Sequence, residues 1–201
     1  MNTIKIIAAP AIFYWATALF GINAWASLPI ERTTLPSGAQ VYVVSSMGIP
    51  MVDVQIEFDA GGRRDPQGLA GLASLTAGHF SKGVLASGSR AALDENQLGE
   101  AWADLGATFG AGAGDDRMSF SLRSLTYPDL LPKAAALAAQ QLTAPAFPAT
   151  LWARDVERIS ASIKEANTKP ATIAGRRFNT AVYSGHPYGN ELTEETLRRI
   201  N

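Results

Sequence analysis

The 201-residue chain contains no cysteine, so disulfide bridges and metal sites built from thiolates are excluded. It contains two histidines, His79 and His186, which lie far apart in sequence and have no partner at metal-ligand spacing. Basic residues are not in excess: 17 lysines and arginines accompany 18 aspartates and glutamates, for a formal net charge of -1. A surface for nucleic acid or anionic membrane is therefore not predicted. Hydrophobic residues make up 47% of the chain, enough for an ordinary globular core.

The N-terminus has a different character. An uncharged, mainly apolar run follows Lys5 over residues 6–22, and Ala24-Trp25-Ala26 matches the small-x-small pattern that signal peptidase cleaves. We interpret residues 1–26 as an export signal and residues 27–201 as one domain. An uncleaved anchor helix is the alternative, because the run is near the lower length limit of a membrane span. An exported chain without cysteine is compatible with a bacterial periplasm, so we expect a periplasmic or exported protein that leaves the membrane once the signal is cleaved.

Two pairs of strands are predicted. Residues 51–58 alternate between apolar and polar side chains, which is typical of a half-buried strand, and residues 39–46 have high β propensity. We expect these two strands to be neighbours in one sheet. Residues 107–112 form a small-residue strand candidate, and residues 118–123 alternate again.

The helices are predicted from apolar spacing and from caps. An apolar helix is expected over residues 69–80, after a glycine-rich loop. Asp94 and Gln97 form a capping-box variant that opens an amphipathic helix, which Gly106 ends. Further helices are predicted over residues 130–142, from Pro148 onward, from Pro170 to about Tyr183 and over residues 193–200. The order predicts an α+β fold with helices packed on a mainly antiparallel sheet.

Several short segments together resemble a known family. Residues 60–66 (Ala-Gly-Gly-Arg-Arg-Asp-Pro), Gly71-Leu72-Ala73, Lys82-Gly83 and residues 185–189 (Gly-His-Pro-Tyr-Gly) are similar to the pitrilysin and insulinase metallopeptidases, which include the mitochondrial processing peptidases. The resemblance covers residues 32–201 and implies the processing-peptidase-like metallohydrolase fold, in the N-terminal one of two homologous domains.

The second domain of such a pair has no counterpart in this sequence. Either the chain is a fragment of a two-domain protein, or a separate polypeptide supplies the rest. A lone domain would expose a large interdomain surface, so we expect residues 27–201 expressed alone to be poorly soluble or to self-associate.

In active members of the family, the motif H-x-x-E-H follows Gly-Leu-Ala on the first helix. Two histidines four residues apart bind one zinc ion, and the glutamate activates the metal-bound water. The resemblance places these three positions on Ser74, Ala77 and Gly78, and the distant glutamate ligand on Ser162. Asp155, on the same helical face as Ser162, retains an acidic residue. We therefore expect no catalytic residues and no metal in this chain, with zinc only in an active partner.

The strand that matches residues 107–112 is an edge in the family, where it pairs with extended peptide substrates. The resemblance therefore assigns substrate binding to Phe109, Gly110 and Ala111. The alternative is that the glycines merely allow close packing against a helix.

The remaining polar and aromatic residues of interest have structural interpretations. Ser119 and Ser121 are predicted on the solvated face of a strand, and the residues predicted in the core include Trp102 and Trp152. For His79 we expect a polar surface or loop role, and for His186 a structural hydrogen bond.

These inferences lead to one preferred function and two alternatives. The chain is interpreted as a non-catalytic family member, the partner subunit that encloses and binds peptide substrate for an active zinc peptidase chain. The first alternative is a stand-alone periplasmic module for peptide binding or scaffolding. The second is an active metallopeptidase with an unrecognised site, which the substituted ligand positions disfavour.

Overall fold

The computed structural model describes residues 29–46 and 48–201. The predicted export signal, residues 1–26, lies outside the described residues. The chain divides into two units, Met1–Ile49 and Pro50–Asn201. Among the described residues, none of the helices has the length and apolar character needed to cross a membrane.

The first unit contains an antiparallel pair of strands, β1 (Ile30–Thr34) and β2 (Gln40–Val44). The turn between them is closed by a hydrogen bond from the Gly38 amide to the Leu35 carbonyl, and Gly38 has a φ of +86° that favours glycine. The sequence predicts β2, because three valines give it β propensity, but not β1, in which Ile30 is the only large apolar residue.

The second unit is built on a three-stranded antiparallel sheet. Its strands are β3 (Met51–Phe58), β6 (Thr108–Ala113) and β7 (Met118–Leu125), in the order β3-β7-β6. The expectation that residues 39–46 and 51–58 form neighbouring strands is wrong, since β2 pairs with β1 and β3 pairs with β7. The alternation of side chains determines which face of a strand is apolar, but it does not determine which strand lies next to it in the sheet.

The described chain contains six α-helices, and the first three of them contact the strands of this sheet. They are α1 (Leu72–His79), α2 (Glu95–Asp104), α3 (Leu131–Thr143), α4 (Ala149–Ala166), α5 (Pro170–Val182) and α6 (Glu194–Arg199). A short antiparallel pair, β4 (Gly83–Val84) with β5 (Leu93–Asp94), lies between α1 and α2 in sequence. The predicted α+β class with a mainly antiparallel sheet is confirmed.

The predicted capping box of α2 is present. The Asp94 carboxylate accepts hydrogen bonds from the amides of Asn96 and Gln97, and the Gln97 side chain accepts one from the Asp94 amide. Gly106 follows the helix with a φ of +56°, as a residue that ends a helix in the left-handed conformation should.

The hydrophobic core lies where α2 packs against β6 and α3 packs against β7. Its buried members are Val84, Leu98, Trp102, Ala107, Leu122, Ala134, Leu137 and Ala138. One buried polar side chain connects this core to the end of α1. The Trp102 indole donates to Gln141 Oε1 at 2.9 Å, and Gln141 Nε2 donates to the Phe80 carbonyl at 2.8 Å. Trp102 is therefore a core residue, as predicted.

Candidate functional site

A glycine loop leads from the end of β3 to helix α1. A Cβ atom added at Gly61 would lie 2.4 Å from the Arg117 amide nitrogen and from the Asp115 carbonyl oxygen. The amides of Gly62 and Arg63 donate to the carbonyls of Gly114 and Asp115, each at 2.9 Å. This loop therefore packs backbone against backbone on the β6–β7 turn, which requires glycine at position 61.

Helix α1 begins at Leu72, three residues later than the sequence predicts. Gly68 and Gly71 have φ angles of +82° and +98°, and a residue in that region cannot lie in a right-handed helix. The Asp65 carboxylate accepts hydrogen bonds from the amides of Gly71 (2.8 Å) and Ala73 (2.9 Å). A carboxylate at this place also interacts favourably with the helix dipole, so the start of α1 is held by one side chain from the loop.

The structure places the predicted motif positions on two faces of α1. Ser74 and Gly78 are exposed and lie one above the other, while Ala77 is buried where α1 packs on β6. Ser162 is exposed on α4. Two hydroxyls, a methyl group and a glycine do not offer zinc the nitrogen, sulfur or carboxylate ligands it prefers. Across residues 29–46 and 48–201, no cluster of three or more His, Asp and Glu side chains could hold a metal ion.

A buried polar pair joins α1 to α4 beside these positions. The side chains of His79 and Asp155 are both nearly inaccessible, with residue exposures of 6% and 5%. His79 Nε2 lies 3.7 Å from Asp155 Oδ2, and His79 Nδ1 lies 3.1 Å from the Leu75 carbonyl oxygen. The expectation of a surface or loop role for His79 is wrong, because α4 covers the face of α1 on which His79 lies.

Asp155 is held on its other oxygen by arginine. Arg154 Nε and Arg158 Nε lie 3.6 Å and 3.5 Å from Oδ1. The seven-residue spacing places Asp155 and Ser162 on one face of α4, but Asp155 is buried and Ser162 is exposed. The retained acidic residue is thus part of an ion-pair cluster. Periodicity within α4 could have suggested this burial, but the partner on α1 is too distant in sequence to be inferred.

An apolar pocket of about 280 Å³ lies between α1 and α4, on a different face of α1 from Ser74 and Gly78. Trp152, predicted in the core, forms part of its wall and is half-buried, and its ring packs edge-to-face with His79 at a centroid distance of 5.0 Å. The lining residues are Leu72, Leu75, Thr76, His79, Phe147, Ala149, Trp152, Ile200 and Asn201.

Strand β6 pairs with β7 and, in the part of the chain that the structure describes, with no other strand. The Phe109 ring is stacked on Trp102, with centroids 5.7 Å apart and an interplanar angle of 7°, so it belongs to the core side of the sheet. Gly110 lies on the opposite side, where an added Cβ would be 3.1 Å from Ser121 Oγ. Ser119 and Ser121 share that side, as predicted. Of the three residues predicted to bind substrate, Phe109 therefore has its ring on the core side of the sheet, so that only its backbone lies along the edge of β6.

A polar cluster links the glycine loop to the segment Gly185–Gly189. Asp116 Oδ1 lies 3.0 Å from Arg63 Nε and accepts a hydrogen bond from the Tyr188 hydroxyl at 2.7 Å. This hydrogen bond, together with burial, raises the pKa of Tyr188. The Tyr188 amide donates to His186 Nδ1 at 3.2 Å, so the predicted structural hydrogen bond of His186 is confirmed. Two motifs separated by about 120 residues in sequence thus stabilise each other.

The loop also contains an exposed charge pair. The Arg64 guanidinium donates to the Asp59 carboxylate at 2.5 Å, and this hydrogen bond holds the pKa of Asp59 below its usual value. Arg63 contacts the same carboxylate at 2.7 Å.

Comparison with known proteins agrees with the resemblance in the sequence. The family model described as insulinase, peptidase family M16, matches residues 40–196. A search of curated proteins gives no match.

Solved structures provide a second comparison. One is a peptidase M16 inactive domain from Pseudomonas fluorescens, with 28% identity, a TM-score of 0.75, and coverage of 86% of this chain and 43% of that one. A protease from Helicobacter pylori has 16% identity and a TM-score of 0.70, and the match covers 87% of this chain and 41% of that one. The periplasmic protease PqqL from Escherichia coli has 19% identity and a TM-score of 0.71, and the match covers 86% of this chain and 19% of that one.

The chain thus spans less than half the length of each of these structures. The two with identity below 25% show the shared fold alone. The match over residues 40–196, which is most of the chain, carries the assignment. The chain belongs to the insulinase family of peptidases, peptidase family M16.

Proposed function

We propose that this chain is a non-catalytic member of the family, a partner subunit that encloses and binds peptide substrate for an active zinc peptidase. The observation that carries the proposal is a contrast on one helix. The loop before α1 is held by backbone hydrogen bonds and by Asp65, while Ser74, Gly78 and Ser162 stand where the resemblance expects zinc ligands. The backbone of the family's catalytic region is retained, and the side chains at these positions are not the ones that zinc prefers.

Two of the structural relatives support this proposal. The relative with 28% identity is described as an inactive domain, so a member without activity has a precedent at that similarity. PqqL is described as periplasmic, which agrees with the export signal predicted over residues 1–26. We therefore place this protein in the periplasm or outside the cell.

The proposed peptide-binding element is the outer edge of β6. A strand with one neighbour presents unpaired amides and carbonyls to which an extended peptide can add as a further strand. The small side chains of Gly110, Ala111 and Gly112 let a peptide backbone approach this edge. Exposed apolar residues of β3 offer a separate surface for association: Val54, Ile56 and Phe58 are 38%, 37% and 50% exposed.

The first experiment tests catalysis and the assigned ligand positions together. The purified chain is expected to hold no stoichiometric zinc and to cleave no peptide. The triple variant Ser74→His, Gly78→His and Ser162→Glu is expected to bind zinc, because it restores two imidazoles four residues apart on α1 and a carboxylate at the position on α4 that the resemblance assigns to the third ligand. The matched control puts the glutamate one position earlier, as Ala161→Glu, which turns it about 100° around α4. Chelator-sensitive cleavage by the unmodified chain would overturn the proposal.

The second experiment tests the β6 edge. Amides along an antiparallel edge strand alternate between the neighbouring strand and solvent, so one of Gly110 and Ala111 directs its N–H outward. Proline at the outward position removes one edge donor and leaves the pairing with β7 intact, whereas proline at the other position breaks that pairing. Binding of a fluorescein-labelled extended peptide is expected to weaken in the first variant without loss of thermal stability. Equal binding by that variant and the unmodified chain would exclude the edge.

The third experiment tests the partner. Affinity capture of the tagged full chain from its native envelope is expected to recover a family member with an intact H-x-x-E-H motif. Recovery of no such chain would favour the stand-alone peptide-binding or scaffold module.

Light scattering on residues 27–201 alone is expected to show self-association, because a lone domain would expose its interdomain surface. A stable monomer would contradict that expectation.

A further inference from the structure

We propose that His79 carries a proton on both ring nitrogens and forms with Asp155 a buried ion pair that holds helix α1 against helix α4. The inference is independent of the proposed partner-subunit role. It concerns the two helices on which the resemblance places the metal-ligand positions. Zinc held from both helices would bridge them, and in this chain the bridge is a pair of side chains.

The hydrogen-bonding geometry of His79 carries the proposal. A backbone carbonyl can only accept, so the contact of 3.1 Å between Nδ1 and the Leu75 oxygen requires a proton on Nδ1. A neutral imidazole would then present the Nε2 lone pair to Asp155 Oδ2, which is 3.7 Å away. Two acceptors would face each other inside the protein, and that arrangement is unfavourable. A second proton, on Nε2, removes the conflict and gives Asp155 a cationic neighbour.

The surroundings of Nε2 support the same assignment. Nε2 is inaccessible to solvent and, among the described residues, has no hydrogen-bond partner at normal distance. A shift of about 0.5–1 Å would close the 3.7 Å separation between Nε2 and Asp155 Oδ2 to a charge-assisted hydrogen bond. A small side-chain movement would thus give Nε2 the hydrogen-bond partner that it lacks among the described residues.

The charged groups around the pair favour an ionised Asp155. Arg154 and Arg158, from its own helix, approach Oδ1, while Oδ2 faces His79. Among the described residues, Asp155 is the charged side chain within ion-pair distance of His79, and the other side chains that line the neighbouring pocket are uncharged. The Trp152 ring packs against the imidazole in an edge-to-face arrangement, with ring centroids 5.0 Å apart.

Nitrogen-15 spectroscopy of the histidine-labelled full chain tests the protonation state without any mutation at the site. The chain has two histidines, and the variant His186→Gln assigns their signals. At about pH 6.5, which is close to the pKa of histidine in model peptides, both ring nitrogens of His79 are expected to show the nitrogen-15 chemical shifts of protonated nitrogen. The variant Asp155→Asn is expected to abolish that state. A neutral His79 with one protonated nitrogen in the unmodified chain would overturn the proposal.

A double-mutant cycle tests the energetic link between the helices. It combines His79→Leu with Asp155→Leu, so that the double variant replaces the pair with apolar groups. The pair is expected to raise the folding equilibrium constant by on the order of tenfold at about pH 6 and by far less at about pH 9. Glu157→Gln, an exposed change on the same helix, is the matched control and should show no coupling to His79→Leu. Coupling of equal size at both pH values would refute the charged pair.

Discussion

The close approach of Gly61 to the β6–β7 turn leads to a quantitative prediction. In the variant Gly61→Ala the new methyl carbon would lie 2.4–2.5 Å from three backbone atoms of Asp115, Asp116 and Arg117. An ordinary contact needs roughly 3.4 Å or more, so the loop and the turn must separate by about 1 Å. These neighbours are backbone atoms and cannot move aside as a flexible side chain would.

The expected loss of stability follows from what this separation breaks. The hydrogen bonds of the Gly62 and Arg63 amides, each 2.9 Å long, join the loop to the turn and would both be stretched. Each contributes about 0.5–1.5 kcal/mol, and overpacking adds about 1–3 kcal/mol. The free energy of unfolding should therefore fall by about 2–6 kcal/mol. For a chain of this size, that is a decrease of about 4–24 °C in the melting temperature.

Urea unfolding followed by tryptophan fluorescence measures this loss, and the neighbouring glycine provides the control. A Cβ at Gly62 would meet its nearest atoms at 3.9 Å and 4.0 Å, which is normal contact. Both variants restrict the unfolded chain equally, so their difference isolates the clash. Gly78→Ala, in open space on α1, should stabilise by about 0.5–1 kcal/mol. Equal unfolding midpoints for the Gly61 and Gly62 variants would refute the reasoning.

Two further perturbations test the polar contacts that hold the fold. Gln141→Leu leaves the Trp102 indole N–H and the Phe80 carbonyl buried without hydrogen-bond partners. The free energy of unfolding, measured with urea, should therefore fall by about 2–5 kcal/mol. An unchanged unfolding midpoint would show that these two groups find other hydrogen-bond partners. In a spectrophotometric titration, Tyr188 should ionise at higher pH than the other tyrosines, since its hydrogen bond to Asp116 raises its pKa, and Tyr188→Phe should remove that late step. Because a raised pKa means that the folded state retains the proton, the hydrogen bond stabilises the fold below the usual pKa range of tyrosine, and this stabilisation is lost at higher pH. A tyrosine titration without a late component would contradict the hydrogen bond between Tyr188 and Asp116.

The features that sequence analysis predicts correctly are those that depend on local chemistry. The alternation over residues 51–58 predicts β3 with its observed bounds, and Asp94 with Gln97 predicts the cap of α2. Pro170 predicts the start of α5, because its missing N–H is not needed in the first turn. Each of these signals lies within a few residues of the structure that it determines, so no knowledge of distant parts of the chain is required.

The features that it misses depend on residues far apart in sequence. The early start predicted for α1 ignores the left-handed conformations of Gly68 and Gly71, which the packing of the loop selects. The partner of β3 is β7, some 60 residues later in the chain, and the local alternation of side chains does not identify it. The burial of His79 depends on α4. A single histidine on an apolar helix is compatible with surface or core until the opposite surface is known.

The sequence by itself determined the family of this protein, and it predicts that the family's zinc-ligand positions are substituted. Motif residues are recognised by identity and spacing, and the side chains of Ser74, Ala77, Gly78 and Ser162 lack ligand nitrogens and carboxylates in any conformation. Only the tertiary structure decided what joins the helices that carry these positions. The contact between His79 and Asp155 spans 76 residues of chain, and it exists because the fold brings two buried polar groups together where neither can reach water.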